Sequence, residues 1–474
     1  MFSGQVVSIR HSSDPRENVY YILGYDSGVS EAKVSLIACS SSLVLNVGEC
    51  VSAEIAEGSI KKFSLLSESA AAELKSRMDE GARSFVESAV SPAFKSGISD
   101  LDNITSKMEA KLHAAAALLL WKLAYGAPVV VRFHNDADGA SGAYAVHIAA
   151  KHVFENGIFA TEPRIAWHMH RSIAYGADSA FEDEVSASAY DSVEKPLLII
   201  IDFGTSPDSN AGIERALKKF DIIWLDHHPV VEGFSGATLE HYINPWLFGG
   251  DSNYTAGFLA CAFSSILSSA DYSAIYDASL IGDYSTYAKH TAEGNDLAII
   301  LDLITSDRRI AYGDASGDIT PQLIDRIMYD GKRKAELLGY AKMRLSEAMD
   351  LAVARVKEYK SRAANVYLLD FNEIRGDDEG RYPLPGRFAS KVFEHMEKLS
   401  DRSCVVILHF NLFISIRASY DVDALSIVNA VAGEYSTIES AGGHRNACSI
   451  KLKDEQEKRS IINSILRRLG VEKN

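Results

Sequence analysis

The chain has 474 residues, 47% of them apolar and 24% charged, with a net charge of −16. That length exceeds one compact core and leads us to expect roughly two to four domains. The negative charge argues against a protein that coats duplex nucleic acid through a general basic surface, though not against an enzyme that meets phosphates through bound metal ions.

No run of eighteen apolar residues occurs, and the opening, MFSGQVVSIRHSSD, lacks a signal-peptide core. The five cysteines stand singly, with no Cys-x-x-Cys pair. A cytoplasmic protein is expected, with no membrane association, disulfide frame or thiolate zinc site.

Residues 1–66 read as short strands: GQVVSI, VYYILGY, AKVSLIA, LVLNVG, ECVSAEI and IKKFSLL. Their spacing predicts a small antiparallel β-barrel, OB-like in the stretch LNVGECVSAEIAEGSIKKF, with some other small β-domain as the alternative. Residues 67–126 form a helical connector rich in Ala, Leu, Glu and Lys. It is interrupted near Ser91-Pro92 and stops at Gly126 ahead of Pro128.

Across 127–310 strand and helix alternate. The runs PVVVRF, RIAWHM, PLLIIID and DIIWLD are short, continuous and rich in β-branched residues, as suits parallel strands buried on both faces. An open α/β sheet follows. Residues 311–365 read as a helical linker, and 366–474 as a second, smaller α/β domain. No fixed-period repeat is present.

In an open α/β sheet, ligands bind beyond the carboxyl ends of the parallel strands. After VVVRF comes His134-Asn135-Asp136-Ala137-Asp138-Gly139, after LLIII comes Asp202, and after IIWL comes Asp226-His227-His228; YDASLIGDYST presents Asp283. Singly, each has an ordinary reading. HNDADG fits an Asx turn (an EF-hand fails because Ala145 stands where Glu is needed), Asp202 a helix cap, and the adjacent histidines a structural pair. Together, at four element ends in one domain, they predict a site. His and Asp ligands without thiolate suit Mn²⁺ or Mg²⁺, and the imidazoles favour Mn²⁺. Two such ions, about 3.5–4 Å apart, can activate water and stabilise a leaving phosphoester oxygen. Gly139 allows a tight turn into the next helix.

This set resembles the DHH phosphoesterase superfamily. His134-x-Asp136-x-Asp138-Gly139 is similar to its first motif, Asp202 to its second, Asp226-His227-His228 to its third and Asp283 to its fourth. AGGHRNACSIKL resembles the GGH motif of the DHH-associated C-terminal domain, with Ala441 where a third glycine often stands, and FISIRAS with Arg417 resembles that domain's preceding strand. The plan is similar to RecJ-type single-strand exonucleases, particularly archaeal forms that associate with the GINS replication complex.

The resemblance implies two metal ions, one held by His134, Asp136 and Asp202 and the other by Asp138, Asp202, His227 and Asp283. It implies that His228 faces the scissile phosphate, that Asp226 orients the histidine pair, and that Arg417, Gly442, Gly443 and His444 grip substrate phosphate. The expected function is a metal-dependent exonuclease on single-stranded DNA or RNA, working in a cleft that excludes duplex. The alternatives are a phosphodiesterase for cyclic dinucleotides or very short oligonucleotides, and a non-catalytic replication scaffold. Arg132, Arg171, Arg308, Arg309, Lys332, Arg333 and Lys334 are candidate backbone contacts. Tyr20, Tyr21 and Tyr25 are candidates for base stacking, although core packing is the expected role for at least two of them.

Overall fold

The computed structural model describes residues 1–12, 14, 18–26, 34–41, 44–156, 165–306, 319–361, 364–375 and 382–471. The chain divides into two units, Met1–Leu301 with Asp318–Met328, and Asp302–Gly317 with Tyr329–Asn474.

The first unit begins with β1 (Phe2–Arg10), β2 (Val19–Asp26), β3 (Ser35–Ser40), β4 (Cys50–Ala56) and β5 (Ser59–Leu65). They close in the order β1-β2-β3-β5-β4-β1, with β3 and β5 parallel and the other pairs antiparallel. The barrel is therefore OB-like, with five strands. Residues 44–48, part of the expected strand LVLNVG, are loop and turn.

VYYILGY reads as nearly continuous apolar sequence because both faces of β2 are covered. Tyr20 and Ile22 point into the barrel with Val6, Ile9, Val51 and Ile60. Tyr21 and Leu23 face Leu74, Met78, Ala82 and Ala124 of the two helices that follow, α1 (Glu68–Ala89) and α2 (Ser99–Ala124). Tyr20 and Tyr21 are accordingly 2% and 5% exposed and serve the core rather than a stacking surface. Tyr25 donates its hydroxyl to the Arg77 carbonyl, with the Arg77 guanidinium 4.5 Å from its ring.

The parallel domain runs β6 (Val129–His134), α3 (Ala137–Asn156), β7 (Ile165–His170), α4 (Ala177–Ala187), β8 (Tyr190–Ser192), β9 (Leu197–Ile201), α5 (Asn210–Leu217), β10 (Asp221–Leu225), β11 (His241–Ile243), α6 (Ala256–Ser265) and α7 (Ser273–Gly282). Its sheet has the order β11-β10-β9-β6-β7, all parallel, while the short β8 joins β1 of the barrel. The expected apolar runs are its four longer strands. The order reverses at β6/β9, where a doubly wound sheet opens its binding crevice.

In the second unit β12 (Lys357–Lys360), β13 (Asn365–Asp370), β14 (Cys404–Phe410), β15 (Phe413–Ala418), β16 (Ile438–His444) and β17 (Ala447–Leu452) form a mixed sheet of order β12-β13-β14-β15-β17-β16. Only β13 and β14 pair in parallel. CVVILHF is continuously apolar because β14 is sandwiched. Val405 and Ile407 pack with Val428, Ile461 and Ile465, whereas Val406 and Leu408 pack with Phe388, Val392 and Met396. All five cysteines are free and buried. Among the described residues no helix is long and apolar enough to cross a membrane.

Candidate metal centre

Strand register builds the centre. Phe133 of β6 and Leu225 of β10 both pair with Ile201 of β9, and Ile243 of β11 pairs with Leu225. The residues that follow these four, His134, Asp202, Asp226 and Asn244, therefore leave the sheet in one row. The chain behind each is apolar and buried, so the polar residues mark the point where each strand ends at the edge.

The two acids after β6 are placed by helix capping. Asp136 Oδ1 accepts the Gly139 N–H of α3 at 3.0 Å, and its Oδ2 lies 2.7 Å from His134 Nδ1. A Cβ at Gly139 would stand 2.5 Å from the His134 carbonyl oxygen, so the turn needs glycine for its close approach. Asp138 instead reaches the start of α6. It accepts the Ala256 and Gly257 N–H groups at 2.9 and 2.7 Å and the Ser279 hydroxyl at 2.5 Å. Each acid thus answers the unpaired amides of a different helix.

Asp202 sits at φ +69°, a left-handed conformation that costs a non-glycine residue on the order of 1 kcal/mol or more. Its N–H is fixed to the Leu225 carbonyl at 2.9 Å. This strained residue lies between two histidines, with Oδ2 3.7 Å from His134 Nδ1 and Oδ1 3.3 Å from His227 Nε2.

His227 is fully buried. Its Nδ1 lies 2.8 Å from the Ser252 carbonyl oxygen, which can only accept, so Nδ1 carries the hydrogen. Nε2 then faces three carboxylates: Asp283 Oδ2 at 3.1 Å, Asp202 Oδ1 at 3.3 Å and Asp138 Oδ2 at 3.7 Å. A single ring nitrogen cannot answer three anionic oxygens with one proton. A cation among them can.

Among the described residues, three groups have the spacing to hold metal: His134, Asp136 and Asp202; Asp138, His227 and Asp283; and Asp202, His227 and His228. All six expected ligands and His228 are brought together. With Asp226, the centre holds five carboxylates against three imidazoles. Burial and neighbouring carboxylates raise the Asp138 and Asp202 carboxyls. Burial opposes charge on His134 and His227 as well, but the carboxylates around them lift both rings well above the usual histidine range. The donor set, hard oxygens with imidazoles and no thiolate, fits Mn²⁺ or Mg²⁺.

Behind the donors runs a hydrogen-bonded chain that no sequence motif signals. Asn244 Nδ2 donates to the Tyr242 hydroxyl at 2.7 Å, Tyr242 pairs with the Thr205 hydroxyl at 2.9 Å, and Thr205 donates to Asp226. Asp226, fully buried, accepts the His227 and His228 N–H groups and holds His228 Nδ1 at 2.8 Å. Burial would raise its carboxyl, yet His228, His227 and Thr205 hold it down to about 2. The His228 side chain remains 40% exposed.

Arg132 corrects an expectation. It is 3% exposed, its guanidinium donating to Asp183 and Glu182, with the His168 ring 3.1 Å away. A side chain spent on that network is not a nucleic-acid contact. Arg171 is exposed; Lys332 and Arg333 are exposed on the first turn of the helix Gly331–Arg355, and Arg333 pairs with Glu336. Arg308 and Arg309 lie outside the described residues.

In the second unit, Arg417 on β15 donates to Ser390, Ser415, Ile416 O and Gly386 O. Gly442, Gly443 and His444 form the end of the edge strand β16, with Gly443 at φ +132°. The His444 side chain lies outside the described residues.

No family model matches the chain. An uncharacterized protein of Methanocaldococcus jannaschii is 29% identical over 148 residues, which is 28% of this chain and only 19% of that protein's length. A solved structure described as the DHH domain of a member of the S1p family of ribosomal proteins superposes with a TM-score of 0.71 at 19% identity, over 86% of this chain and 100% of that one. RecJ from Thermus thermophilus, solved in complex with Mn²⁺, gives a TM-score of 0.50 at 16% identity, over 76% of this chain and 54% of RecJ.

Proposed function

Starting from a chain with the DHH-domain fold, we propose a metal-dependent phosphodiesterase that degrades single-stranded DNA or RNA from an end. The observation that carries this reading is the convergence of Asp283, Asp202 and Asp138 on His227 Nε2, at 3.1, 3.3 and 3.7 Å. His134, Asp136 and Asp202 would hold one ion, and Asp138, Asp202, His227 and Asp283 the other. Divalent ions held there would supply an activated water and positive charge at the leaving oxygen.

The chain's own side chains do the rest. Asp226 fixes the His228 ring through Nδ1, which sets Nε2 as the edge that meets the scissile phosphate. Against the effect of burial, the neighbouring Asp226 carboxylate raises the His228 imidazole above its usual range, and general acid catalysis toward a phosphate or leaving oxygen is the role we assign to it. The Ser252 carbonyl keeps His227 in the tautomer that offers Nε2 to the donor set. Arg417 and the Gly442–His444 segment serve as a phosphate grip. Mn²⁺ is the expected metal because imidazoles share the site with carboxylates. A pure scaffold has no use for a buried, mutually repelling carboxylate set, which speaks against the non-catalytic alternative. A GINS-type replication partner and a cytoplasmic location complete the proposal.

The test is digestion of end-labelled strands with Mn²⁺, resolved at single-nucleotide length. Single-stranded 20-mers should shorten progressively from one end, and blunt duplex of equal length far more slowly. Equal rates on both would remove the single-strand reading. Cleavage of dinucleotides with 20-mers left intact would transfer the function to the small-substrate alternative.

A further inference from the structure

Two large side chains stand exposed beside this centre without belonging to its donor set. Trp246 is 42% exposed and Tyr284 40%. Trp224 and Trp167, by contrast, are buried, and Trp121 is half-buried.

Trp246 occupies a short turn, Pro245–Phe248, at the end of β11. Its backbone N–H donates to Asn244 Oδ1 at 3.0 Å. Its indole N–H reaches the His227 carbonyl at 3.1 Å and Ser252 Oγ at 3.2 Å. The ring's one polar atom is therefore satisfied, and its position is set by the backbone of a donor residue. What it leaves to solvent is apolar aromatic surface. Tyr284 directly follows Asp283 and sits at φ +54°, a region a bulky residue enters only at a cost. The backbone of Trp246's partner His227 and that of Tyr284's neighbour Asp283 carry side chains that meet at 3.1 Å, Nε2 to Oδ2.

A single exposed apolar side chain is ordinary. A tryptophan pinned by three hydrogen bonds beside a phosphate-binding centre is better explained by what the phosphate carries. We propose that Trp246, with Tyr284, forms a nucleobase-stacking subsite, so that the bound phosphoester is a nucleotide phosphodiester and not a base-free phosphate. This rests on the phosphodiesterase reading above and names its substrate class. Base–aromatic stacking tolerates any sequence because every base has a π face, and a ring already fixed in place loses little freedom when a base lands on it.

The test compares two phosphorothioate strands of equal length in Mg²⁺, one of oligothymidylate and one abasic. Binding is followed by tryptophan emission and by the anisotropy of a label on the strand. The thymidine strand should quench wild-type emission and bind about tenfold more tightly than the abasic one, in line with the usual stacking contribution. Trp246→Ala should bind both strands at the abasic level, and Trp246→Phe, which lacks the indole N–H but keeps a ring, should recover part of the preference. Three results overturn the subsite: a thymidine preference that survives in Trp246→Ala, equal losses on both strands with no rescue by Phe, or no binding of either strand. Hydrolysis of ordinary strands is measured alongside. Equal binding of the thymidine and abasic strands by wild type, with hydrolysis intact, removes the subsite alone. Failure to hydrolyse either strand removes the phosphodiesterase reading, while the binding arm still decides the subsite.

Discussion

Gly257 donates its backbone N–H to Asp138 Oδ1 at 2.7 Å, and a Cβ at position 257 would stand 2.8 Å from that same oxygen. Helix propensity alone predicts that alanine here stabilises α6 by up to about 1 kcal/mol. The contact predicts the reverse. Gly257→Ala should lower unfolding free energy by about 1–3 kcal/mol through overpacking and weaken Mn²⁺ binding by roughly tenfold or more by displacing Asp138. Gly339→Ala is the control, on an exposed helix position where a Cβ meets nothing within 4 Å. Denaturant melts and calorimetric Mn²⁺ titrations of both variants check this; a Gly257→Ala protein as stable as the control would remove the constraint.

Arg132 and Asp183 form a buried pair, 3% and 0% exposed. Burial would raise the Asp183 carboxyl, but His168 and Arg132 hold it below the usual range. Arg132→Ala leaves that carboxylate buried without its partner, at an expected loss of about 3–5 kcal/mol. Urea unfolding measures the loss. Substrate affinity at low and high salt, on the fraction that folds, should keep the wild-type slope; a shallower slope would return Arg132 to the phosphate contacts.

His170 stacks on Phe203 with ring centroids 4.0 Å apart, and burial pushes its imidazole down to about 4. The unfolded chain protonates this ring near 6.5, so between about 6.5 and 4 it binds the proton that the folded chain refuses. The stability His170 contributes is complete above pH 6.5 and is lost as pH falls toward 4, by about 3 kcal/mol in all. His170→Gln keeps an amide donor for the Ala174 carbonyl but does not titrate. Its unfolding free energy should fall less steeply than that of wild type from pH 7 to 4.5. Parallel curves would show that the ring is already accessible to protons.

The expected donors at the strand ends are legible in the sequence because each follows an apolar run, and parallel register places the ends of such runs in one row. Asp202 needs only LLIII before it, and Asp226-His227-His228 only IIWL. What carries Asn244 and Trp246 is not legible. β11 is three residues, His241–Ile243, too short for a period, and Asn244-Pro245 reads locally as a turn. Arg132 misleads for a related reason. One arginine in PVVVRF looks like a strand-end charge, because its partners Asp183 and His168 arrive from another helix and strand. The tyrosines of β2 illustrate the opposite case. A continuous apolar run means both faces are covered, and the helices α1 and α2 supply the second cover. The phosphate grip proposed on β15 and β16 rests on resemblance and on nothing in the apolar pattern.

The proposed mechanism needs a two-ion centre that shares Asp202, and calorimetric titration of Mn²⁺ into chelator-stripped protein tests it most directly. Wild type should take up two ions per chain. Asp202→Asn, which keeps the residue's shape and suits the left-handed backbone at φ +69°, should lose the tight uptake of both, and with it at least about a thousandfold in kcat on a single-stranded oligonucleotide. Uptake of two ions by the variant, or full turnover by wild type in EDTA, would contradict it.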